Sequence, residues 1–299
     1  MRIATSQLYD KPMSLMARLS AQADAAQTSI ATEKKYQAPS DNAGAYLQLQ
    51  GLKRAGADDK AYASNVDMAR SVLEQGDTTL GNIETQLQRA LELTTKAANG
   101  TLTDANRVAI AEELDAIRDE LFSLANTKDM RGQPLFGGAQ GDVAYSRAVD
   151  GTISFEGGGD APAAIPVGEG DSVQASVPGS KLFGTGASDM FKVLGDLSAA
   201  LRAGGDVSTA TGDALTAIKT RLDDVGAGRA MAGARAARLE LDADRLAEVA
   251  GDREVTRASI EDTDIASAVT ELQKTLTVLQ ATQASFTKLT AMSLFDYLR

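Results

Sequence analysis

Three pairs of adjacent acidic residues come nearest, by type and spacing, to side chains that perform chemistry. Two neighbouring carboxylates can share general acid and base catalysis or hold a divalent cation. Each pair lies in a segment of helical periodicity, where adjacent side chains point about 100° apart, so one member of each pair is expected to face solvent. We therefore predict no catalytic or metal site at Asp58–Asp59, Glu112–Glu113 or Asp223–Asp224.

Two glycine-containing stretches, Gly157–Gly159 and Leu135–Gly138, resemble phosphate-binding loops only in composition. Neither has the lysine or the strand–helix context with which such loops hold a phosphate. We predict that both are turns.

The composition excludes several classes of function. The 299 residues include no histidine, cysteine or tryptophan, so catalytic triads with histidine, and metal, haem or iron–sulfur sites with cysteine or histidine ligands, are excluded. The net charge is −11 and the basic residues are scattered, which disfavours nucleic acid. No run of about eighteen apolar residues is present to span a membrane. We predict no enzyme activity, no cofactor, and neither a nucleic acid nor a membrane partner.

Hydrophobic residues make up 43% of the chain but aromatic residues only 4%, and much of the apolar share is alanine. This composition favours long, close-packed helices.

The segment from Asp264 onwards has apolar residues at alternating steps of four and three, the spacing of a coiled-coil seam. Its many threonines lower its helix propensity, so we expect it to become ordered through packing. The segment from Leu8 to Ile30 carries a similar stripe and is the expected partner. We favour packing of this seam between subunits, or packing coupled to assembly, over packing inside a monomeric bundle. The predicted assembly interface is Leu8, Leu15, Leu19, Ile30, Ile265, Val269, Leu272, Leu276, Leu279, Phe286, Leu289, Leu294 and Leu298.

Two residues do not fit these terminal seams. Pro12 would cost about 3 kcal/mol inside a helix, so we predict that Asp10 caps the first helix and that residues 1–9 form a separate lead-in or a kinked turn. Gln283 occupies a seam position, where it either fixes the register or faces solvent in a frayed turn.

The next segments predict two long antiparallel helices. A break at Ala38–Asn42 precedes the second helix, and Asn99–Gly100 is expected to end it with a left-handed C-cap. Thr103 is the expected N-cap of the third helix. The seam of the second helix is Val66, Ala69, Leu73, Gly76, Leu80, Ile83, Leu87, Ala90 and Ala97, and that of the third is Ile110, Leu114, Ile117, Leu121 and Leu124.

Glycine and proline accumulate from residue 133 to residue 186, where short apolar alternations replace helical periodicity. Asp150–Gly151 is a signal for a two-residue hairpin loop, so this part predicts a small antiparallel β insert. Helix returns at about Ser188, breaks at Gly204–Gly205 and restarts at Asp206. The seam of this last segment is Leu215, Ile218, Leu222, Val225, Ala232, Ala236, Leu239, Ala243 and Leu246.

The predicted fold is mainly α, a long antiparallel coiled-coil rod built from the N- and C-terminal halves with a small antiparallel β domain inserted. We predict three domains. Residues 1–42 with 262–299 form a terminal coiled-coil domain, residues 43–132 with 187–261 form a helical rod, and residues 133–186 form the β domain.

Six stretches of sequence resemble the bacterial flagellin superfamily, and their order makes the resemblance specific. They are MRIATSQ, SDNAGA, NTKDMRGQPLFGG, GARAARLE, DTDIASAVTELQ and SLFDYLR. They cover both helical halves of the chain, and the opening MRI and the final SLFDYLR are most similar to the branch that joins the hook to the filament.

The resemblance implies a structural subunit of the flagellum that is exported through the flagellar type III apparatus and lies outside the cell. It implies a homo-oligomeric ring with hook-associated protein 1 on one side and flagellin on the other, and a dedicated export chaperone. It also implies that the terminal helices become ordered on assembly. A filament flagellin is the alternative within the superfamily, and a surface module that binds through the β insert is the alternative outside it.

Overall fold

The computed structural model describes residues 2–138, 142–157 and 164–297, and the side chains of residues 10–138, 142–157 and 164–288. The described chain is mainly helical, with four short strands, which confirms the predicted fold class. The helices are α1 (Arg2–Thr32), α2 (Ala43–Ala97), α3 (Asp104–Ala125), α4 (Gly179–Phe183), α5 (Met190–Ala203), α6 (Ser208–Glu261) and α7 (Ile265–Tyr297). The strands are β1 (Tyr145–Arg147), β2 (Ile153–Phe155), β3 (Ile165–Gly168) and β4 (Asp171–Val173).

The chain divides into two compact units, each assembled from both halves of the sequence. Unit 1 comprises Met1–Asp58 and Glu248–Arg299, and unit 2 comprises Asp59–Ala247. Helices α2 and α6 each contribute to both units. The finer division into three domains stays a prediction.

The core of unit 2 follows the predicted helical seams. The apolar residues at heptad positions of α2 are almost completely buried, as are most seam residues of α3, because each helix turns one stripe inward. Arg89 on α2 contacts Glu113 on α3 at 2.6 Å, and Gln75 Nε2 donates to the Lys128 carbonyl at 2.8 Å just beyond α3. The residue that is earlier in α2 contacts the residue that is later in the chain. Helices α2 and α3 are therefore antiparallel, as predicted.

Of the two helix ends in the α2–α3 connection, the start of α3 is as predicted and the end of α2 is not. Thr103 caps α3 as expected, since its hydroxyl accepts from the Asn106 N–H at 3.3 Å. The prediction of a left-handed C-cap at Asn99–Gly100 was wrong, because neither residue has a positive φ. Instead the Asn99 side chain accepts from the Thr101 N–H at 3.2 Å, which satisfies the turn without a left-handed residue.

Helices α5 and α6 complete the helical core of unit 2. Ser198 on α5 donates to the Ala111 carbonyl on α3 at 3.2 Å. On α6, Ile218, Val225 and Leu239 are fully buried at seven-residue multiples, as its predicted seam requires. Arg229 on α6 lies 3.0 Å from Asp77 and 2.7 Å from Glu84 on α2, so one guanidinium joins the two long helices.

The β insert consists of two antiparallel hairpins, β1–β2 and β3–β4, as predicted. The first hairpin has a three-residue loop rather than the predicted two-residue loop. The Gly151 N–H donates to Ala148 C=O at 3.0 Å, and the Ala148 N–H donates to Thr152 C=O at 2.8 Å. This is a type I turn followed by a left-handed residue, and Gly151 supplies it with a φ of 84°.

A buried aromatic cluster attaches the first hairpin to the helices. The ring of Tyr145 on β1 lies 5.5 Å from Phe183 on α4 and 5.1 Å from Phe191 on α5, measured between centroids. The sequence did not predict α4. Its five residues are too short to show a helical period, and the packing of Leu182 and Phe183 in the core stabilises it.

The first helix corrects another expectation. Residues 2–32 form one continuous helix, with Pro12 in its interior rather than in its first turn. Asp10 is therefore not an N-cap. Pro12 has no N–H to donate to the carbonyl four residues earlier, so the helix lacks one backbone hydrogen bond at this turn. The neighbouring residues each still have an N–H group that can donate within the helix.

Candidate assembly interface

Helices α1 and α7 pack against each other in unit 1. The Thr263 N–H, just before α7, donates to the Glu33 carbonyl, just after α1, at 2.9 Å. The end of α1 therefore meets the start of α7, and the two helices are antiparallel. The predicted pairing of the two terminal segments is confirmed.

The face of α7 that contacts α1 has the coiled-coil spacing, but in a register different from the predicted one. We call this face the inner stripe. Its members recur at alternating steps of four and three and are at least partly buried: Ala268, Leu272, Thr275, Leu279, Thr282 and Phe286.

The predicted seam shares only every second position with the inner stripe. Leu272, Leu279 and Phe286 belong to both. At the intervening position the buried residue is Thr275, with 6% exposed, whereas the predicted Leu276 is 42% exposed. The buried stripe is rotated by about 50° around the helix axis from the predicted seam, because the two stripes share every second position and differ by one residue at the positions between. A residue as small as threonine at the buried position permits close packing of the two helices.

The remaining predicted seam residues form a second stripe along one flank of the inner one. This outer stripe consists of Ile265, Val269 and Leu276, of which Ile265 is 40% exposed and Val269 half-buried. Gln283 continues it and is exposed, so of the two alternatives for this residue the structure shows the solvent-facing one. The outer stripe is therefore at least partly exposed along this flank.

On α1, Leu19 is buried and Leu15 and Ile30 are half-buried. Ala23, which is 6% exposed, belongs to the same face. For the predicted interface residues Leu8, Leu289 and Leu294, the structure describes the helical backbone but not the side chains. Leu298 lies outside the described residues.

The threonines of α7 are accommodated by hydrogen bonds to the helix itself. The hydroxyls of Thr270, Thr277 and Thr282 donate to the carbonyls four residues earlier at 2.7 to 2.8 Å. Such bonds satisfy the hydroxyls without adding to helix propensity. Asp264 caps α7 by accepting from the Ala266 N–H at 3.0 Å.

Glu261, the last residue of α6, is a charged residue that the sequence analysis missed. Its side chain is 3% exposed, and Lys34 and Lys53 lie 3.2 Å and 3.4 Å from Oε1. Arg257 donates to Oε2. Burial acts to raise the pKa of Glu261, but hydrogen bonds from Lys34 and Arg257 and the charge of Lys53 outweigh it and hold the pKa below its usual value. No sequence signal distinguishes this glutamate from the exposed acids around it.

Each acidic pair has one member that faces solvent, as expected for neighbours on a helix. Asp58, Glu112 and Asp223 are exposed, whereas Asp59 is buried. Across the described side chains, no group of three acidic residues is placed to bind a metal ion. Leu135–Gly138 is a turn, as predicted, and Gly157–Gly159 lies partly outside the described residues. No helix in the described ranges is both long and apolar enough to cross a bilayer.

Residues 3–141 match the model of the bacterial flagellin N-terminal helical region, and residues 215–298 match that of the bacterial flagellin C-terminal helical region. Flagellar hook-associated protein 3 of Escherichia coli is 26% identical over 320 aligned positions that cover 99% of both chains. The same-named protein of Salmonella typhimurium is 33% identical over 144 residues, which are 48% of this chain and 45% of that protein.

A solved structure shows the same fold. The chain is similar to hook-associated protein 3 of Legionella pneumophila, with a TM-score of 0.63, 14% identity, and coverage of 71% of this chain and 98% of the other. The two family models bracket the β insert, and the interface described above is built from the two matched helical regions. The chain therefore belongs to the bacterial flagellin family, within which it is similar to hook-associated protein 3.

Proposed function

We propose that this chain is a structural subunit that joins the flagellar hook to the flagellin filament. The observation that carries the proposal is the exposed outer stripe of α7. Ile265 and Leu276 keep coiled-coil spacing yet are 40% and 42% exposed in the subunit. An apolar stripe of this kind is stabilised when a neighbouring helix covers it. The names of the relatives with which the chain aligns support the flagellar context.

The mechanism that we propose is assembly coupled to folding. The terminal helices travel unfolded through the type III export apparatus, attended by an export chaperone, and become ordered when their apolar residues are buried. Low helix propensity in α7 supports this, because such a helix is stable only when it is packed. The free energies of folding and association then contribute to one equilibrium.

The partners follow from the proposed position. Copies of this chain would form a ring outside the cell, with hook-associated protein 1 on the hook side and flagellin on the filament side. No catalytic or cofactor role is part of this proposal. The β insert would act as a spacer on the outside of the ring.

A filament flagellin is the second candidate, because the matched family models are those of flagellin helical regions. The two candidates differ in self-assembly. Purified subunit that polymerises by itself into long filaments would identify a flagellin, whereas a junction subunit assembles only at hook ends.

Electron microscopy of a strain that lacks the chain tests the proposal directly. Intact hooks without filaments, together with flagellin released into the medium, are expected. Restoring the full chain should restore filaments, whereas a chain without residues 264–299 should be soluble and helical but should not restore them. Normal filaments in the deletion strain would contradict the junction role.

A further inference from the structure

The two connections that flank the terminal helices run side by side in unit 1. We call them together the joint: residues 33–42, between α1 and α2, and residues 262–264, between α6 and α7. The Lys35 N–H donates to the Glu261 carbonyl at 2.7 Å, and the Thr263 N–H donates to the Glu33 carbonyl at 2.9 Å. Lys34 and Asp262 thus form an isolated antiparallel bridge.

A residue with a side chain has a strained conformation beside this bridge. Glu33 has a φ of 59°, in the left-handed region that residues other than glycine rarely adopt. Such a conformation costs of order 1–3 kcal/mol and persists only when surrounding contacts hold it. The joint is held by these two backbone hydrogen bonds, by the packing of α1 on α7, and by an ion-pair cluster that joins its segments.

The carboxylate of Glu261 is the centre of this ion-pair cluster and joins three segments. Lys34 belongs to the first connection, Lys53 to α2, and Arg257 to α6. The residue is only 2% exposed, although the ammonium-bearing side chains of Lys34 and Lys53 are about half exposed. A buried carboxylate is stabilised only when it is paired, so the three cations must stay in place while the carboxylate is buried.

We infer that Glu261 is the positioning residue of the joint, which holds the α1–α7 pair at a fixed angle to the ends of α2 and α6 within unit 1. Only the biological role of this angle rests on the proposed function. In an assembling subunit, the angle decides where the outer stripe of α7 meets a neighbour. The geometry of the joint itself is independent of assembly.

Limited trypsin digestion of the purified full chain tests the inference, since Lys34 and Lys35 are trypsin sites within the joint. In Glu261→Gln the amide cannot form ion pairs with the three cations. Losing hydrogen bonds to a charged group should open the joint and raise the rate of cleavage after Lys35 by about tenfold or more. Cleavage after Arg131, in unit 2, should keep its wild-type rate.

Glu254→Gln is the matched control. It makes the same chemical change at the other glutamate that pairs with Arg257, three residues before it on α6, where the glutamate side chain is 63% exposed. Surface ion pairs of this kind contribute roughly 0–1 kcal/mol, so its cleavage after Lys35 should stay close to the wild-type rate.

A pair of milder variants separates positioning from general destabilisation. Lys53→Gln removes one cation and should accelerate cleavage after Lys35, whereas Lys53→Arg keeps the charge and should restore protection. These variants decide the matter even when Glu261→Gln does not fold. Equal cleavage rates in wild type, Glu261→Gln and Lys53→Gln would overturn the inference, as would fast cleavage of the wild-type joint. Failure of the junction role would appear instead as normal filaments in the deletion strain, with the digestion result unchanged.

Discussion

Thr275 and Leu276, neighbours in α7, divide its surface: the threonine is buried against α1 with 6% exposed, and the leucine is 42% exposed on the flank. The larger and more apolar of the two is the one left outside. Because full burial of a leucine side chain contributes about 1.5–3 kcal/mol, a neighbour that covered Leu276 would gain part of this free energy.

The first prediction concerns this exposed leucine. Leu276→Ser should leave the thermal stability of the isolated subunit almost unchanged, since surface substitutions are usually within about 0.5 kcal/mol, but should reduce filament formation in a complementation assay.

Val278→Ser is its control, because Val278 is 44% exposed and lies on the opposite flank of the inner stripe. It should support filaments better than Leu276→Ser does. Equal loss of filaments in both variants would contradict a specific role for the outer stripe.

A second prediction concerns the core of unit 2. Leu114 on α3 is fully buried, so Leu114→Ala should lower the free energy of unfolding by about 2–5 kcal/mol through lost burial and a residual cavity. Urea denaturation followed by circular dichroism measures the change. Val108→Ala, on the same helix at a 36% exposed position, should change it much less. Similar losses in the two variants would show that α3 is not packed as described.

The third prediction concerns pH. The pKa of Glu261 is lowered in the folded chain, so its stabilising contribution is fully present above the unfolded value near 4.5 and is lost as the pH falls through the lower folded value. The difference in unfolding free energy between wild type and Glu261→Gln should therefore be constant near neutral pH and shrink below about pH 4.5.

Denaturation of both proteins at pH 7, 5, 4 and 3 measures this difference. The comparison removes the contributions of Asp41 and Asp264, which also have lowered pKa values and belong to both proteins. A difference that grows as the pH falls would contradict the pairing of Glu261.

The fourth prediction concerns two glycines. Gly151→Ala should destabilise the β1–β2 hairpin by about 1–2 kcal/mol, because its φ of 84° is left-handed. Gly233→Ala, at an exposed position inside α6 with open space around its Cβ, should instead stabilise the chain by roughly 0.5–1 kcal/mol. Differential scanning calorimetry should show melting temperatures that move in opposite directions. A shift of the same sign in both would refute the turn conformation.

Several features could be predicted because their causes are local. The alternating steps of four and three in α7, and the heptad positions of α2 and α6, give the helices and the stripes they bury. Thr103 marks the start of a helix because its hydroxyl caps the first turn. Gly204 and Gly205 mark the end of another, because glycine readily adopts the positive φ found there. Each of these signals acts within one or two turns of chain.

The sequence by itself thus determined the long helical segments apart from the start of α1, the β insert, and the pairing of α1 with α7. Only the tertiary structure decided which flank of α7 is buried, because Leu272, Leu279 and Phe286 fit two overlapping stripes and the choice depends on the side chains of α1. It likewise decided that Glu261 lies at the centre of the joint, where Lys34, Lys53 and Arg257 converge from separate segments. Contacts between residues about two hundred positions apart leave no periodic trace in the sequence, since they arise only when the chain has folded.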